Sequence, residues 1–347
     1  MANKSNSGSI RIVLRFIVGL TTSIFLLTIG VDLNAGGYHP HKGGFPKADS
    51  PNCGDTISGH AKLARDLDCS EHSGGAALTL QEGASLNMNG RKIIGNSGIN
   101  CIEIGGDATK IWGGAVTQCD YGIRVRRNGN SISSVKVSNS DGVGIRIDGN
   151  KNRITSVNVS DSKDNGIRIT GDENRITSAK VSGSDDRGIR IDGDDNRLIW
   201  CTLTRSHTQG IKINGGNDNQ IISCKISDSC RDGIEIDGGS DNMISYNRVD
   251  YNGNPETCAD FGEEYKPWYY AGIDVLVGSE NNMIKRNRAG CNLGCEGSDL
   301  LPCTARSRDF WDENVESDGN INSSNEWGNN SIACENSSPE YSPNPDD

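Results

Sequence analysis

A short phrase recurs six times between Tyr121 and about Val249, and it limits the folds that this chain can adopt. Typical copies are VGIRIDGNKN, NGIRITGDEN and RGIRIDGDDN. The glycine of each Gly-Ile pair falls at Gly122, Gly144, Gly166, Gly188, Gly210 and Gly233, so the steps are 22, 22, 22, 22 and 23 residues. A fixed period in the twenties is typical of a solenoid, in which each repeat forms one layer.

Apolar and polar residues alternate within each repeat, as in Gly-Ile-Arg-Ile. Alternation at period two predicts a half-buried strand. Each repeat has about three such runs, for example Ile145/Ile147, Ile154 and Val157/Val159, separated by the Gly, Asn, Asp and Ser residues that favour turns. Three short strands in 22 residues predict one coil of a parallel β-helix, with neighbouring coils about 4.8 Å apart.

An asparagine repeats in a second phase, two residues before an aliphatic residue. The position is occupied by Asn130, Asn152, Asn174, Asn196, Asn219 and Asn242. We expect these side chains to turn inward as an amide ladder, each amide bonding its neighbours in the coils above and below, because turn backbone would otherwise be buried and unpaired. Thr109 stands at the equivalent place in an earlier coil.

The Asn-x-Ile and Gly-Ile-x-Ile phases resemble the right-handed parallel β-helix repeats of the pectate-lyase-like superfamily. The resemblance covers roughly residues 78–332 and implies an all-β fold. The superfamily includes polysaccharide lyases, hydrolases, uronan C5-epimerases and non-catalytic proteins, and the fold does not choose among them.

Composition favours one elongated extracellular body. Apolar residues make up 33% of the chain and glycines number 44, as expected where each coil has a thin core and many turns. The net charge of −11 argues against nucleic acid as a general partner. Twelve cysteines indicate an oxidising compartment. We expect a monomer.

Residues 1–35 have the pattern of a signal peptide, with a basic lead and an apolar run from Phe16 to Val31. The run of about 16 residues is short for a bilayer span, so we expect cleavage rather than an uncleaved anchor, and no membrane association afterwards. The protein is then secreted, to the extracellular space or cell wall. Residues 36–52 predict a Gly- and Pro-rich linker. Glycosylation sequons, relevant in a host that glycosylates, occur at Asn158, Asn322, Asn329 and Asn336.

The β-helix is predicted to span residues 53–336, with an insertion at 251–270, a Cys-rich cap from about 288 and a disordered tail at 337–347. The next Gly-Ile after Gly233 begins at Gly272, 39 residues later and well beyond the repeat length of 22 or 23. The extra residues mark the insertion. The insertion holds six of the chain's 18 aromatic residues, namely Tyr251, Phe261, Tyr265, Trp268, Tyr269 and Tyr270.

The cysteines suggest how the ends are held. An uncovered first coil exposes a sheet edge, so we expect a disulfide between Cys53 and Cys69 to close it. Cys201 and Cys224 both lie five residues after a ladder asparagine and stack facing inward, either bridged or as packed thiols, with packed thiols preferred. The C-terminal cap is expected to be pinned by Cys291, Cys295, Cys303 and Cys334.

The outward position of the Gly-Ile-x-Ile strand carries a row of charges. Its members are Arg124, Arg146, Arg168, Arg190, Lys212, Glu235 and Asp274. Such a row is a track for a linear polyanion such as a uronic-acid polymer, with Arg146 and Arg168 binding substrate. The alternative is a structural checkerboard, in which aspartates of the neighbouring row offset repulsion between stacked arginines of about 1 kcal/mol per pair.

The sign of the row changes beside the aromatic insertion, and chemistry is predicted there. Removal of the C5 proton of a uronate needs a cation at the carboxylate, a base and an acid. Arg190 or Lys212 is placed to neutralise, and His207 or Tyr269 to carry protons. The side chains predicted to stack on sugar rings are Tyr265, Trp268 and Tyr270. The side chains predicted to bind Ca²⁺ through oxygen ligands are Glu235, Asp237 and Asp274. The alternatives are an exposed turn histidine at position 207 and an insertion that is only a packing flap.

Two motifs of the uronan C5-epimerases in this superfamily are absent from the sequence: Asp-Pro-His-Asp and the Gly-Gly-x-Gly-x-Asp calcium repeats. The repeat, the charged row and the aromatic insertion together predict a secreted β-helix protein that acts on or binds an acidic polysaccharide, with a lyase or a mannuronan-type C5-epimerase as the candidate enzyme. The alternative is a non-catalytic extracellular carbohydrate-binding or structural protein.

Overall fold

The computed structural model describes residues 50–253, 258, 270–290, 292, 310–312 and 324–332. Within them the chain forms 31 strands that wind as an all-β solenoid. In chain order the first sixteen are β1 Asp55–Ile57, β2 His60–Lys62, β3 Leu67–Asp68, β4 Ala76–Leu80, β5 Ser85–Asn87, β6 Lys92–Ile94, β7 Asn100–Ile104, β8 Lys110–Thr117, β9 Ile123–Val125, β10 Ser131–Ser140, β11 Ile145–Ile147, β12 Arg153–Thr155, β13 Asn158–Ser162, β14 Ile167–Ile169, β15 Arg175–Thr177 and β16 Lys180–Ser184. The others are β17 Ile189–Ile191, β18 Arg197–Ile199, β19 Thr202–Ser206, β20 Ile211–Asn214, β21 Gln220–Ile222, β22 Lys225–Ser227, β23 Ile234–Asp237, β24 Met243–Ser245, β25 Arg248–Asp250, β26 Ile273–Val275, β27 Met283–Lys285, β28 Arg288–Gly290, β29 Phe310–Asp312, β30 Glu326–Gly328 and β31 Ser331–Ile332.

Each strand pairs in parallel with its equivalent in the next coil, which produces three sheets. Sheet 1 has eleven strands among the described residues, in the order β1-β4-β7-β9-β11-β14-β17-β20-β23-β26-β29. Sheet 2 runs from β2 and sheet 3 from β3 in the same manner, and the long strands β8 and β10 turn through both. The predicted parallel β-helix is confirmed.

The Gly-Ile step is explained by the contacts at the start of each sheet 1 strand. A Cβ on Gly144 would lie 2.4 Å from a methyl of Val159 and 2.6 Å from the carbonyl oxygen of Gly166. Both distances are shorter than packed atoms tolerate, so only glycine lets sheets 1 and 3 converge there. The following isoleucines, such as Ile145 and Ile147, are fully buried in the core between the sheets.

The asparagine ladder runs along the corner between sheets 1 and 2, as predicted, with Asn130 1% exposed. Its bonding is more specific than expected. The backbone N–H of Asn130 donates to Oδ1 of Asn152 at 2.8 Å, and the step repeats to Asn174 and beyond. Direct amide-to-amide bonds occur farther on, for example from Asn242 to Asn282 at 3.0 Å. The amide oxygen therefore serves the backbone of the preceding coil, since that N–H has no strand partner.

The later coils gain a ladder at each of the other corners. Asn247 and Asn287 form one between sheets 2 and 3, and Asn252 and Asn292 form one between sheets 3 and 1. The corners of these coils are therefore held by hydrogen bonds where earlier coils pack small or apolar side chains.

Three disulfides lie in the described residues, at Cys53–Cys69, Cys101–Cys119 and Cys230–Cys258. The first joins the pair expected at the open end of the solenoid. Cys201 and Cys224 are buried free thiols, and the backbone N–H of Cys201 lies 3.3 Å from Sγ of Cys224. The four cysteines expected to pin the C-terminal cap, and the signal, linker and tail segments, lie outside the described residues. In the described part, no helix is long and apolar enough to span a bilayer.

Candidate functional site

The charged row predicted on sheet 1 forms in register. Arg146 stacks between Arg124 and Arg168. Farther along, Lys212 stacks between Arg190 and Glu235, and Asp274 follows Glu235. The strand pairing therefore brings together the residues that the sequence assigned to one face.

The arginines of this row are paired with two aspartates, which lie two positions after Arg146 and two positions after Arg190. Asp148 bonds Arg146 at 2.7 Å and Arg124 at 3.3 Å. Asp192 bonds Arg190 at 2.7 Å and Arg168 at 3.1 Å. Each aspartate thus bridges two coils, and the charges alternate as in the structural alternative to a polyanion track.

The pairing also sets the protonation of the aspartates. Partial burial raises the pKa of Asp148, but hydrogen bonds from Arg146 and Thr170, together with the charges of Arg146 and Arg124, outweigh burial and leave the pKa below its ordinary value. Asp148 is therefore ionised at neutral pH, and Arg146 offers a polyanion little uncompensated charge.

Lys212 occupies the point at which the row changes sign. Its ammonium lies 2.7 Å from Glu235 Oε1 and 2.7 Å from Asp237 Oδ2. Burial lowers the pKa of Lys212, but hydrogen bonds and charge from Asp237 and Glu235 prevail and raise the pKa. The lysine is therefore charged, and it neutralises two carboxylates at once.

Buried carboxylates accumulate around Glu235, one of the two partners of this lysine. Asp232, Glu235 and Asp274 are 3%, 6% and 4% exposed, and Gln209, 4% exposed, donates its amide N–H to Glu235 Oε2. Asp232 accepts a 2.6 Å hydrogen bond from the backbone N–H of Ala271. Its pKa is raised well above the ordinary value, first by burial and then by the charges of Asp274 and Glu235. The folded cluster therefore holds the proton of Asp232 more tightly than the unfolded chain does.

The cluster lies near the first residues of neighbouring sheet 1 strands, on the side where the insertion joins the solenoid. The insertion connects β25 to β26, at the corner between sheets 3 and 1. Cys258 of the insertion is bonded to Cys230, in the same corner of the preceding coil. Tyr270, at the end of the insertion, is half-buried. The predicted Tyr265, Trp268 and Tyr269 lie outside the described residues.

His207 lies in the same corner, one coil earlier, between β19 and β20. Its Nδ1 is 2.9 Å from the carbonyl oxygen of Asp185, which belongs to the coil before it. This bond directs one ring nitrogen toward the N-terminal side, whereas Glu235 lies on the C-terminal side. Its role as a proton carrier stays a prediction.

The three side chains predicted to hold Ca²⁺ do not fit a calcium site. The ammonium of Lys212 lies between Glu235 and Asp237, where the cation would have to bind. Across the described ranges, no group of three or more His, Cys, Asp or Glu side chains is placed to hold a metal ion.

Asp232 and Gln209 were missed by the sequence reasoning. Both occupy the position directly before Gly-Ile, a position whose residue type varies from repeat to repeat. This position is nevertheless buried at Gln209 and Asp232. The available signal was a polar residue directly before Gly-Ile at Gln209 and Asp232, where an earlier repeat has Val143.

Two protein families match the chain. The family described as "Right handed beta helix region" matches residues 165–342. The family described as "Periplasmic copper-binding protein (NosD)" matches residues 60–221. No curated protein sequence matches.

Solved structures share the architecture at low sequence identity. The A-module of the mannuronan C-5 epimerase AlgE6 of Azotobacter vinelandii has a TM-score of 0.52 and 8% identity, covering 80% of this chain and 90% of that one. The periplasmic alginate epimerase AlgG has a TM-score of 0.52 and 10% identity, covering 80% and 76%.

The Dettilon tailspike protein has a TM-score of 0.46 and 13% identity and covers 67% of this chain, which spans 57% of the tailspike's length. Identities this low establish a likeness of fold alone. The family match covers more than half of the sequence and agrees with the coils seen here. The chain therefore belongs to the right-handed β-helix family.

Proposed function

We propose that this protein acts outside the cytoplasm on an acidic polysaccharide, and that the cluster around Lys212 transfers protons at C5 of a uronate unit. Either β-elimination or C5 epimerisation starts with that proton transfer. The likeness of fold to a mannuronan C-5 epimerase module and to a periplasmic alginate epimerase supports the substrate class. The signal-like residues 1–35 and the match to a periplasmic family support the location.

The observation that carries the proposal is the burial of Asp232, Glu235 and Asp274 together, with Glu235 bonded to Lys212. Burying ionisable groups costs free energy, and the fold does not require it. In an earlier coil, Val143 stands at the position equivalent to Asp232, and Arg146 stands at the position equivalent to Glu235. The three carboxylates lie where the insertion meets sheet 1. Ionisable groups with shifted pKa values in such a position are typical of catalytic sites.

The chemistry assigns different roles to the charged groups. A uronate carboxylate exchanges with Asp237, which is 40% exposed, and binds the ammonium of Lys212. Glu235 takes the C5 proton, and the bond electrons move toward the neutralised carboxylate.

Two outcomes follow from the resulting carbanion. In a lyase, the electrons form the C4–C5 double bond, the C4–O bond breaks and an acid protonates the leaving oxygen. In an epimerase, an acid returns a proton to C5 from the opposite face. Asp232, whose pKa is raised, is the acid in this proposal, and His207 is the alternative donor.

The test is incubation of the purified protein with alginate, polygalacturonate and glycosaminoglycans in D₂O. Ultraviolet absorbance detects unsaturated ends, and proton NMR detects deuterium at C5. We expect one of these two signals on at least one polymer. The rate at which the signal develops should fall at least a hundredfold in Lys212→Gln and in Glu235→Gln. Lys110→Gln, an exposed cation on sheet 2, is the matched control and keeps activity. Absence of both signals on all polymers contradicts the proposal.

A second candidate function is non-catalytic binding or a structural role. The observation that favours it is the internal pairing of the sheet 1 cations, with Lys212 bound to two carboxylates of its own chain. This function predicts retained polymer binding without deuterium uptake or cleavage.

A further inference from the structure

The corner between sheets 2 and 3 carries a column of residues with left-handed backbone. One residue per coil occupies it, at the end of the sheet 2 segment, with φ between 53° and 58°. The column consists of Ser134, Ser156, Ser178, Trp200, Ser223, Tyr246, Arg286 and Asn329. Each N–H of Trp200 and Tyr246 bonds the next coil, at 3.1 Å to Ile222 O and 3.3 Å to Lys285 O. The fold therefore fixes the conformation, and serine satisfies it in four coils.

Trp200 and Tyr246 break the serine pattern in a way that the fold does not need. A bulky residue in the left-handed region is uncommon and strained. Their side chains gain little from burial, since Trp200 is 62% exposed and Tyr246 is 53% exposed. The Trp200 indole makes no hydrogen bond or ring contact with other described residues. Large aromatic rings held out in water are typical of binding surfaces.

Positive charge lies beside the aromatic rings. The guanidinium of Arg286 donates a hydrogen bond to the hydroxyl of Tyr246, and its carbon lies 5.4 Å from the ring centroid. Lys180 and Lys225 begin the sheet 3 strands at this corner and are exposed. Neither lysine has an acidic partner among the described residues. This corner thus differs from sheet 1, where aspartates neutralise the arginines, and it stands out in a chain of net charge −11.

We infer that this corner, defined by Trp200, Tyr246, Arg286, Lys180 and Lys225, is a binding surface for a linear anionic polysaccharide. The surface is separate from the Lys212 cluster, which lies on sheet 1. It deepens the proposed function by supplying a place that holds the polymer, but binding here does not depend on catalysis there.

The spacing of the rings fits an extended sugar chain. Trp200 and Tyr246 are two coils apart, which corresponds to roughly 9.6 Å along the solenoid. In an extended 1,4-linked pyranose chain, every second ring presents the same face, and two rings span a similar length. The rings at Trp200 and Tyr246 then stack on alternate sugars above Ser223. Acidic groups of the sugars lie within reach of Lys225 on one side and Arg286 at the end.

The column itself supplies the variants for a test. Trp200→Ser and Tyr246→Ser install the residue that four coils already carry with the same backbone, so the fold is expected to persist, as circular dichroism and thermal unfolding will check. Trp112→Ser, which removes an exposed tryptophan four coils earlier on sheet 2, is the control. Native gels containing polygalacturonate, alginate or neutral hydroxyethylcellulose measure affinity from retardation.

We expect the wild type and Trp112→Ser to be retarded by an acidic polymer and not by hydroxyethylcellulose. The double serine variant should lose at least tenfold in affinity, and Lys225→Gln should lose about threefold and show a weaker salt dependence. Polymer-induced change in tryptophan fluorescence should disappear in Trp200→Ser. Unchanged retardation of the folded double variant overturns the inference, as does a wild type that no acidic polymer retards.

Activity on short uronate oligomers separates this inference from the proposed function. If the inference alone fails, the double variant keeps its polymer affinity while the Lys212→Gln effect on activity remains. If the proposed function alone fails, the wild type binds polymer through this corner with neither cleavage nor deuterium uptake.

Discussion

The asparagine ladders predict a graded response to the loss of one amide. Asn282 is fully buried and its amide makes four hydrogen bonds. Its oxygen accepts from the backbone N–H and from Nδ2 of Asn242, at 2.9 and 3.0 Å, and its nitrogen donates to Gly239 O and Asn325 Oδ1, at 2.9 and 3.0 Å. At about 1 kcal/mol net for each bond, Asn282→Ala should cost about 4 kcal/mol of unfolding free energy.

Asn174 offers the matched comparison in the same ladder. Its oxygen accepts one bond, from the backbone N–H of Asn152 at 2.9 Å, and its Nδ2 has no hydrogen-bond partner among the described residues. Asn174→Ala should therefore cost only about 1 kcal/mol. Urea unfolding followed by circular dichroism measures both values, and hydrogen exchange locates the opened coils. A loss at Asn174 equal to or above that at Asn282 would refute the reasoning.

Three further changes test the packing and the charged cluster. Gly188→Ala should cost about 2–3 kcal/mol because the new Cβ would lie 2.6 Å from a carbonyl oxygen of the next coil, whereas Gly59→Ala, with no atom within 4 Å, should be nearly neutral in the same thermal unfolding assay. Lys212→Met should cost about 3 kcal/mol at neutral pH because two carboxylates lose their cation, and recovery of stability at acidic pH is the check. The raised pKa of Asp232 means that the folded protein binds this proton more tightly than the unfolded chain does. The wild type therefore loses stability as the pH rises from 3.8, the ordinary pKa of an aspartate, through the raised pKa of Asp232. Asp232→Asn should remove that loss, and melting temperatures of the two proteins that stay parallel from pH 4 to 8 would contradict the assignment.

Sequence reasoning recovered the solenoid because its causes are local and repeated. Glycine before isoleucine, alternation along the strand and asparagine at the corner each recur at fixed spacing, so the register of Arg146, Lys212 and Glu235 followed by counting. Stacking also placed Cys201 beside Cys224.

The candidate site was predicted only in part because its physics is not periodic. The sequence showed where the charge of the row changes sign, but not that Lys212 reaches both Glu235 and Asp237, which depends on side-chain rotamers. Burial of Asp232 depends on how the chain enters the coil after the insertion. The aromatic column at Trp200 and Tyr246 was missed because neither residue belongs to the apolar or glycine phase of the repeat.

The unequal distribution of the ladders has a kinetic consequence. Coils that contain Asn242, Asn247 and Asn252 have bonded amides at all three corners, whereas a coil such as that of Asn174 has one. In a solenoid each coil contacts only its neighbours, and folding propagates from the place where a nucleus is most stable. We expect that nucleus in the later coils, with growth toward the earlier ones. Because synthesis runs in the opposite direction, the coils that are made first are completed last.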